Sequence, residues 1–394
     1  MGALMQLTGF SDEHEALREM VRDFARREIE PHAAEWDRTH TFPAHLVPQI
    51  GDLGLFGLTA PERYGGAAAD FTSLCIAVEE LGRADQSVGI TLSAGVGLGI
   101  NPILRFGTDE QRDRWLPDLV AGRALAAFGL TEPDAGSDAG ATRTHAELVD
   151  GEWVINGAKA FITNSGTAMT SCITVAARTG TRDDGRPEIS TLILPAGTPG
   201  LVVEPAYDKL GWHASDTHGL TFENCRVPED ALLGPRGEGL SQMLGILDDG
   251  RIAISALSVG LIARCLDECT AYAKTRVTFG QPIGSRQGIA FAISDLAVDL
   301  EAARLLTYHA ASLKDAGRGR AEVSKAAAIA KLFSTEAAVR ATRTATQVFG
   351  GYGFMEETPV ARLYRDAKIL EIGEGTSEVQ RMVIARHLGL SAAS

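Results

Sequence analysis

Residues 152–164 read EWVINGAKAFITN, and how this run is read decides the fold. β-Branched and aromatic residues fill it, and glycine and asparagine bound it, as in a strand. Similar short runs lie on either side: ALAAFGL at 124–130, SCITVAART at 171–179, ISTLILP at 189–195 and HGLTFENCRVP at 218–228. Gly, Pro, Asp and Asn separate them, the pattern of a small β domain, barrel or sandwich. Outside this stretch the chain is helical in character. Before it, SDEHEALREMVRDFARREIEP (11–31) places Leu17, Met20, Val21, Phe24 and Ile29 at helical spacing. Ser11 with Glu15 opens that helix and Pro31 ends it. FTSLCIAVEELGRAD (71–85) is a second helix. After about Gly239 long alanine-rich segments return, and their small residues suit close helix packing. The expected fold class is therefore α+β and multidomain: an N-terminal helical domain over 1–120, a middle β domain over 121–235, and a C-terminal four-helix bundle over 236–394.

The chain has 394 residues, is 45% hydrophobic and carries a net charge of −14. This length suits about two or three domains. An acidic balance argues against nucleic acid, which needs clustered Lys and Arg. The five cysteines, Cys75, Cys172, Cys225, Cys265 and Cys269, are odd in number and form no C-x-x-C, so buried thiols in a reducing compartment are expected and no metal site. The N-terminus lacks a basic region followed by an apolar run, and no stretch of about eighteen apolar residues is seen. The expectation is a cytoplasmic protein without a membrane span.

Several stretches hold chemistry-bearing residues. FGLTEPDAGSD (128–138) sets Thr131, Gly136, Ser137 and two aspartates on a loop after an apolar run that includes Phe128 and Leu130. Such a loop is either a plain turn or a cradle of N–H groups and hydroxyls for a polar ligand. In KAFITNSG (159–166), Phe161 and Thr163 lie two apart and share one strand face; they are either core or a stacking ring beside a hydroxyl. LDDGR (247–251) puts Asp248 and Arg251 three apart at an expected helix start, forming an ion pair or meeting a ligand. Arg276 and Phe279 in RVTFGQPIGSRQ (276–287) suit a pyrophosphate and a ring. The paired glycines of QVFGGYGF (347–354) allow close backbone approach. EIGEGTSEVQ (371–380) holds Glu374 between two glycines, and Ser377 with Gln380 fits a capping box. No Rossmann, P-loop, nucleophile-elbow or H-E-x-x-H pattern occurs.

In this order, PERYGG (61–66), TEPDAGSD, KAFITN, KLGWHASDT (209–217), LDDGR, RVTFGQP, QVFGGYG, YRDAK (364–368) and IGEGTSEVQR (372–381) resemble segments of the acyl-CoA dehydrogenase family. The similarity runs from about Ser11 to Leu390. It implies noncovalent FAD, oxidation of an acyl-CoA thioester to the trans-2-enoyl-CoA, electron transfer to an electron-transfer flavoprotein, and a homotetramer built as a dimer of dimers.

Carried over position by position, the resemblance implies that Thr131, Ser137, Phe161 and Thr163 contact the flavin, with Phe128, Leu130 and Gly136 in the same segments. Arg276, Phe279, Gln287, Gln347, Gly350 and Gly351 would hold the FAD of a neighbouring subunit, and Thr376 and Glu378 would also reach FAD. Asp248 and Arg251 would meet the CoA ester, with Ser137 shared and Gly373 and Gly375 beside the acyl group. Glu374 would be the catalytic base. Removing an α-proton from a thioester needs enolate stabilisation by hydrogen bonds to the carbonyl, which in the family come from the FAD ribityl chain and the N–H of the base. It also needs a carboxylate whose pKa burial has raised. Some members place the base where Gly250 stands, and glycine cannot serve.

Two departures stand out. Many members have an aromatic residue at the position of Gly373, and Trp at the position of Phe161. The missing ring, with the small-residue run SAGVGLGI (93–100), leads to the expectation of a short branched or bulky acyl group. A flavin oxidase that hands electrons to oxygen, and a noncatalytic acyl-CoA or nucleic-acid binder on the same fold, are the competing readings.

Overall fold

The computed structural model describes residues 10–390. Its N-terminal region is helical: α1 (Asp12–Phe24), α2 (Ala33–Thr39), α3 (Leu46–Asp52), α4 (Phe71–Ala84), α5 (Gln86–Ala94), α6 (Asn101–Phe106) and α7 (Asp109–Val120). The cap of α1 differs in detail from expectation. Ser11 pairs reciprocally with His14, not Glu15, because the third helical residue faces the cap. Between α5 and α6 the glycine-rich stretch Gly95–Ile100 forms a π-helical turn. Within Gln86–Phe106 an 18-residue window reaches a mean hydropathy of 1.5, long and apolar enough to cross a membrane by that measure although polar residues interrupt it. It is 89% buried inside the protein, the environment of a core helix.

The middle region forms β1 (Leu125–Gly129), β2 (His145–Val149), β3 (Glu152–Thr163), β4 (Thr170–Thr181), β5 (Pro187–Pro195), β6 (Leu201–Ala206), β7 (Thr217–Pro228) and β8 (Leu232–Leu233). They join in the order β6-β7-β3-β2-β4-β5-β8, with β1 parallel to β4. β2 and β4 pair through His145 and Arg178 alone, a short junction between two longer-paired parts of the sheet. Residues of both parts share one apolar core: Trp153, Ile155 and Phe222 from one, Val175, Leu192 and Leu194 from the other. This is the barrel-or-sandwich arrangement the alternating runs imply.

The C-terminal region is built from α8 (Gly239–Thr275), a two-stranded hairpin of β9 (Val277–Thr278) and β10 (Gln281–Pro282), α9 (Gln287–Asp315), α10 (Arg320–Phe349), α11 (Pro359–Ala367) and α12 (Ser377–His387). Its core is continuous with that of the N-terminal helices. Gly82 and Gly89 let α4 and α5 approach α8 closely: a Cβ on either would lie 2.5 Å from Leu257. α8 thereby becomes the central rod against which both helical regions pack.

Candidate functional site

LDDGR lies more than two turns inside α8 rather than at a helix start, because the helix begins at Gly239. Arg251 is buried and donates to Asp248 Oδ1 at 2.6 Å. Asp248 also accepts from Ser324 at 3.1 Å and lies 3.5 Å from Arg320. The i, i+3 ion pair is therefore formed, and the Asp248 carboxylate is already committed to neighbours. Arg251 Nε is buried and makes no hydrogen bond among the described residues.

Directly before Arg251 in the same helix, Gly250 makes the contact that organises the site. A Cβ on Gly250 would sit 2.5 Å from Glu374 Oε2. The carboxylate of Glu374 thus rests directly on the α8 backbone, where any larger residue would displace it. Glu374 has φ +55 and Gly375 φ +91, two consecutive left-handed residues that turn the chain sharply. For a glutamate this backbone costs about 1 kcal/mol and calls for a compensating contact. Glu374 Oε2 is fully buried with no hydrogen-bond partner among the described residues. Burial pushes its carboxyl up to about 7, against the pull of Arg251 and Lys331.

The loop is held from behind. Lys331 of α10 donates to the Gly375 carbonyl at 2.8 Å, and Gln380 donates to the same carbonyl at 2.8 Å and to Glu374 O at 3.4 Å. The cap of α12 is Thr376, whose hydroxyl accepts from the Val379 N–H at 3.3 Å. The expected Ser377–Gln380 box does not form, since Ser377 is already the first helical residue and Gln380 turns back to the loop. Glu378 is exposed on the first turn of α12.

A second group of residues gathers at the end of β3. Phe161 is 65% exposed with φ +61, at an irregularity in the β3–β7 pairing, and Ile162 beside it is buried. Thr163 is half-buried on the same side as Phe161. Next to them, the Asn164 side chain, Trp212 Nε1 and Ser215 Oγ are buried polar groups without partners among the described residues. Asn164 N–H donates to Asp216 O at 3.2 Å, which joins the two segments. Trp212 also has positive φ, and its N–H donates to Asp366 of α11 at 2.6 Å.

The 128–138 loop is exposed at Gly136 and Ser137 and half-buried at Thr131. Phe128 and Leu130 instead pack their side chains into an apolar cluster with Met243 and Ile246. A buried ion pair anchors this loop: Lys159 Nζ reaches Glu132 Oε1 at 2.7 Å and Leu130 O at 3.2 Å. Glu132 further accepts from Thr142 and from the N–H groups of Arg143 and Thr144.

A third group lies at the far end of α8. Arg276, Gly350 and Gly351 line one open cleft of about 460 Å³ with Tyr272, Thr278 and Tyr352. Phe279 is 94% exposed with φ +50, and Gln287 and Gln347 are exposed. Lys331 and Lys159 were given no role by the sequence, Gln380 was read there only as a capping residue, and the Trp212 segment only as a stretch of family resemblance. A lone lysine in the alanine-rich run AAAIAKLFS was the one available signal.

The family models of the acyl-CoA dehydrogenase N-terminal, middle and C-terminal domains match residues 11–123, 127–225 and 237–389. The chain is 49% identical over 376 residues to a probable acyl-CoA dehydrogenase of Bacillus subtilis, covering 95% of this chain and 98% of that one. It is 44% identical to the mitochondrial short-chain specific acyl-CoA dehydrogenase of Bos taurus, over 95% of this chain and 90% of that one. The solved butyryl-CoA dehydrogenase of Megasphaera elsdenii superposes with a TM-score of 0.92 at 40% identity, over 96% and 98% of the two chains.

Proposed function

Because this chain belongs to the acyl-CoA dehydrogenase family, whose members are FAD-dependent oxidoreductases, we propose that it binds FAD and converts a short, branched or bulky acyl-CoA to the trans-2-enoyl-CoA with Glu374 as the base. One observation carries this reading: a carboxyl group raised to about 7, its Oε2 buried without a hydrogen-bond partner among the described residues, held on strained backbone between two glycines. A carboxylate so placed is poised to take a proton near neutral pH.

The residues present fit FAD. The unpartnered atoms of Asn164, Trp212 and Ser215 beside exposed Phe161 offer hydrogen bonds to a flat polar ring. With Thr131, Gly136, Ser137 and Thr163, and the backbone at Phe128 and Leu130, they would hold its ring end. Arg276, Phe279, Gln287, Gln347, Gly350 and Gly351 would hold the other end of a FAD shared with a second subunit, and Thr376 and Glu378 would touch it beside the base. The exposed Phe279, Phe291 and Val298, 94%, 61% and 68% exposed, favour a covering copy and a homotetramer, checked by sedimentation of the flavin-loaded enzyme.

In the mechanism, FAD when bound supplies the acceptor for the electron pair that leaves the β-carbon with its hydrogen. The protein does the rest. Glu374 Oε2 takes the α-proton; Arg251 and Lys331 favour its ionised form. The N–H of Glu374 is the protein's donor to the thioester carbonyl, stabilising negative charge as it develops. Arg251, with Asp248 fixing its orientation, lies on the substrate side, together with Ser137. An electron-transfer flavoprotein is the proposed acceptor and the cytoplasm the proposed location.

A Cβ at Gly373 would meet only the Ile369 carbonyl, at 3.5 Å, and one at buried Gly97 would meet nothing within 4 Å. This space supports a bulky acyl group. Anaerobic titration with straight, branched, aromatic and dicarboxylic acyl-CoA esters, following loss of flavin absorbance, tests the reading; no bleaching by any of them overturns it. Gly373→Tyr is expected to lower kcat/KM for branched esters about tenfold more than for straight ones, the range of one hydrophobic-pocket contact. Equal losses on both would remove the specificity assignment. Rapid reoxidation by air would favour the oxidase reading.

A further inference from the structure

We propose that Lys331 is a positioning residue for the reaction, which holds the Glu374 loop through the Gly375 carbonyl and supplies positive charge that favours the ionised form of the neighbouring carboxylate. The inference rests on the reading of Glu374 as base.

Lys331 is completely buried in α10. Among the described residues its ammonium forms no ion pair within 4.0 Å, and its hydrogen bond goes to the Gly375 carbonyl at 2.8 Å. A buried ammonium with one backbone acceptor is an expensive arrangement, since desolvation is offset only in part. A fold that needed only a cap on this carbonyl already has one: Gln380 donates to the same oxygen at the same distance. The charge itself is thus the part that remains unexplained by hydrogen bonding.

Its location accounts for the charge. Gly375 follows Glu374 directly, and the Glu374 carboxylate is buried with Oε2 making no hydrogen bond among the described residues. Two buried groups of opposite sign thus flank one glycine, each without an ion partner of its own. The charged groups bearing on Lys331 are Glu374, Arg251 on α8, Glu371 in the turn Lys368–Glu371 and Glu378 on α12. Those bearing on Glu374 are Arg251 and Lys331. Arg251 has its own carboxylate in Asp248 at 2.6 Å, which weakens its field at Glu374. Lys331 has no such partner within 4.0 Å among the described residues, and its pull on Glu374 adds to the larger one of Arg251. Contact through the carbonyl also fixes the peptide that follows the base, and so the left-handed pair at 374 and 375 that aims the carboxylate at Gly250.

Two neutral variants separate the charge from the hydrogen bond. Lys331→Met removes both, while Lys331→Gln keeps an N–H donor for the Gly375 carbonyl. The readout is the acid limb of kcat/KM against pH for the flavin-loaded enzyme. Catalysis needs the carboxylate, so loss of a nearby cation moves that limb to higher pH. The expected move is about one pH unit in both variants, the scale of a unit charge several ångströms away at a protein-like dielectric. Lys331→Arg is expected to return the limb to its wild-type position. If Lys331→Gln retains flavin and its limb stays where the wild type has it, Lys331 is a packing residue only and the proposal is overturned, whatever happens to kcat or Tm. Glu374→Gln is measured beside them. Flavin bleaching that survives in Glu374→Gln overturns the reading of the base itself, whereas a lost bleaching with an unmoved limb in Lys331→Gln overturns this inference alone.

Discussion

Glu374→Gln is expected to reduce the rate of flavin bleaching by acyl-CoA at least about 10³-fold, the upper range for loss of a positioned proton acceptor. Glutamine keeps the size and the backbone of the loop, so flavin content and acyl-CoA binding should persist. Unchanged bleaching in stopped flow would show that another group takes the proton. The same substitution has an expected effect on stability of opposite sign. Burial raises the folded-state carboxyl from 4.5 to about 7. A group with a raised folded pKa favours the folded state below its unfolded pKa, and that contribution is lost as pH rises through the folded value. At pH 8 the ionised wild type therefore carries a cost on the order of 3 kcal/mol that glutamine avoids. The difference in Tm between variant and wild type should widen from pH 5 to pH 8. A difference that stays constant over that range would mean the carboxyl titrates alike in both states.

The second large effect lies far from the site. Glu79 of α4 is buried and accepts from Arg304 of α9 at 2.7 and 3.1 Å, from the Tyr308 hydroxyl at 2.6 Å and from Arg18 of α1 at 3.4 Å. Glu80 beside it accepts from Nε and Nη2 of Arg22, at 2.9 and 2.7 Å. This network joins the N-terminal helices to the C-terminal bundle. Glu79→Gln would leave Arg18 and Arg304 buried without their shared counter-charge, at a cost of about 3–5 kcal/mol. The urea midpoint at pH 7 should fall accordingly; an unmoved midpoint would mean that water reaches the two guanidinium groups. Burial pushes the Glu79 carboxyl up, but Arg304 and Arg18 outweigh it and hold it at about 2. With a depressed folded pKa, this stabilisation is present above 4.5 and lost as pH falls toward 2.

Much of the architecture was legible. Short β-prone runs between long helical stretches can satisfy their backbone only as a sheet, and the sheet lies where EWVINGAKAFITN placed it. Helix interiors were legible for the same reason, because periodicity is local. Caps were less so: Ser11 pairs with His14, and Thr376, not Ser377, caps the last helix, since a shift of one residue depends on how the preceding loop arrives. The buried run Gln86–Phe106 shows the limit of composition, which cannot tell a core helix from a membrane span.

The sequence by itself determined which residues carry polar chemistry on turns, Glu374 between its glycines above all. A carboxylate flanked by residues without side chains is visible without any partner. Only the tertiary structure decided what surrounds that carboxylate. The Gly250 backbone beneath it, the Lys331 ammonium behind it and the Arg251–Asp248 pair beside it come from helices far away in sequence. The properties that make Glu374 a base, its burial and the field it feels, belong to those neighbours. No local pattern encodes them, because desolvation and Coulomb interactions depend on distance in space and not on separation along the chain.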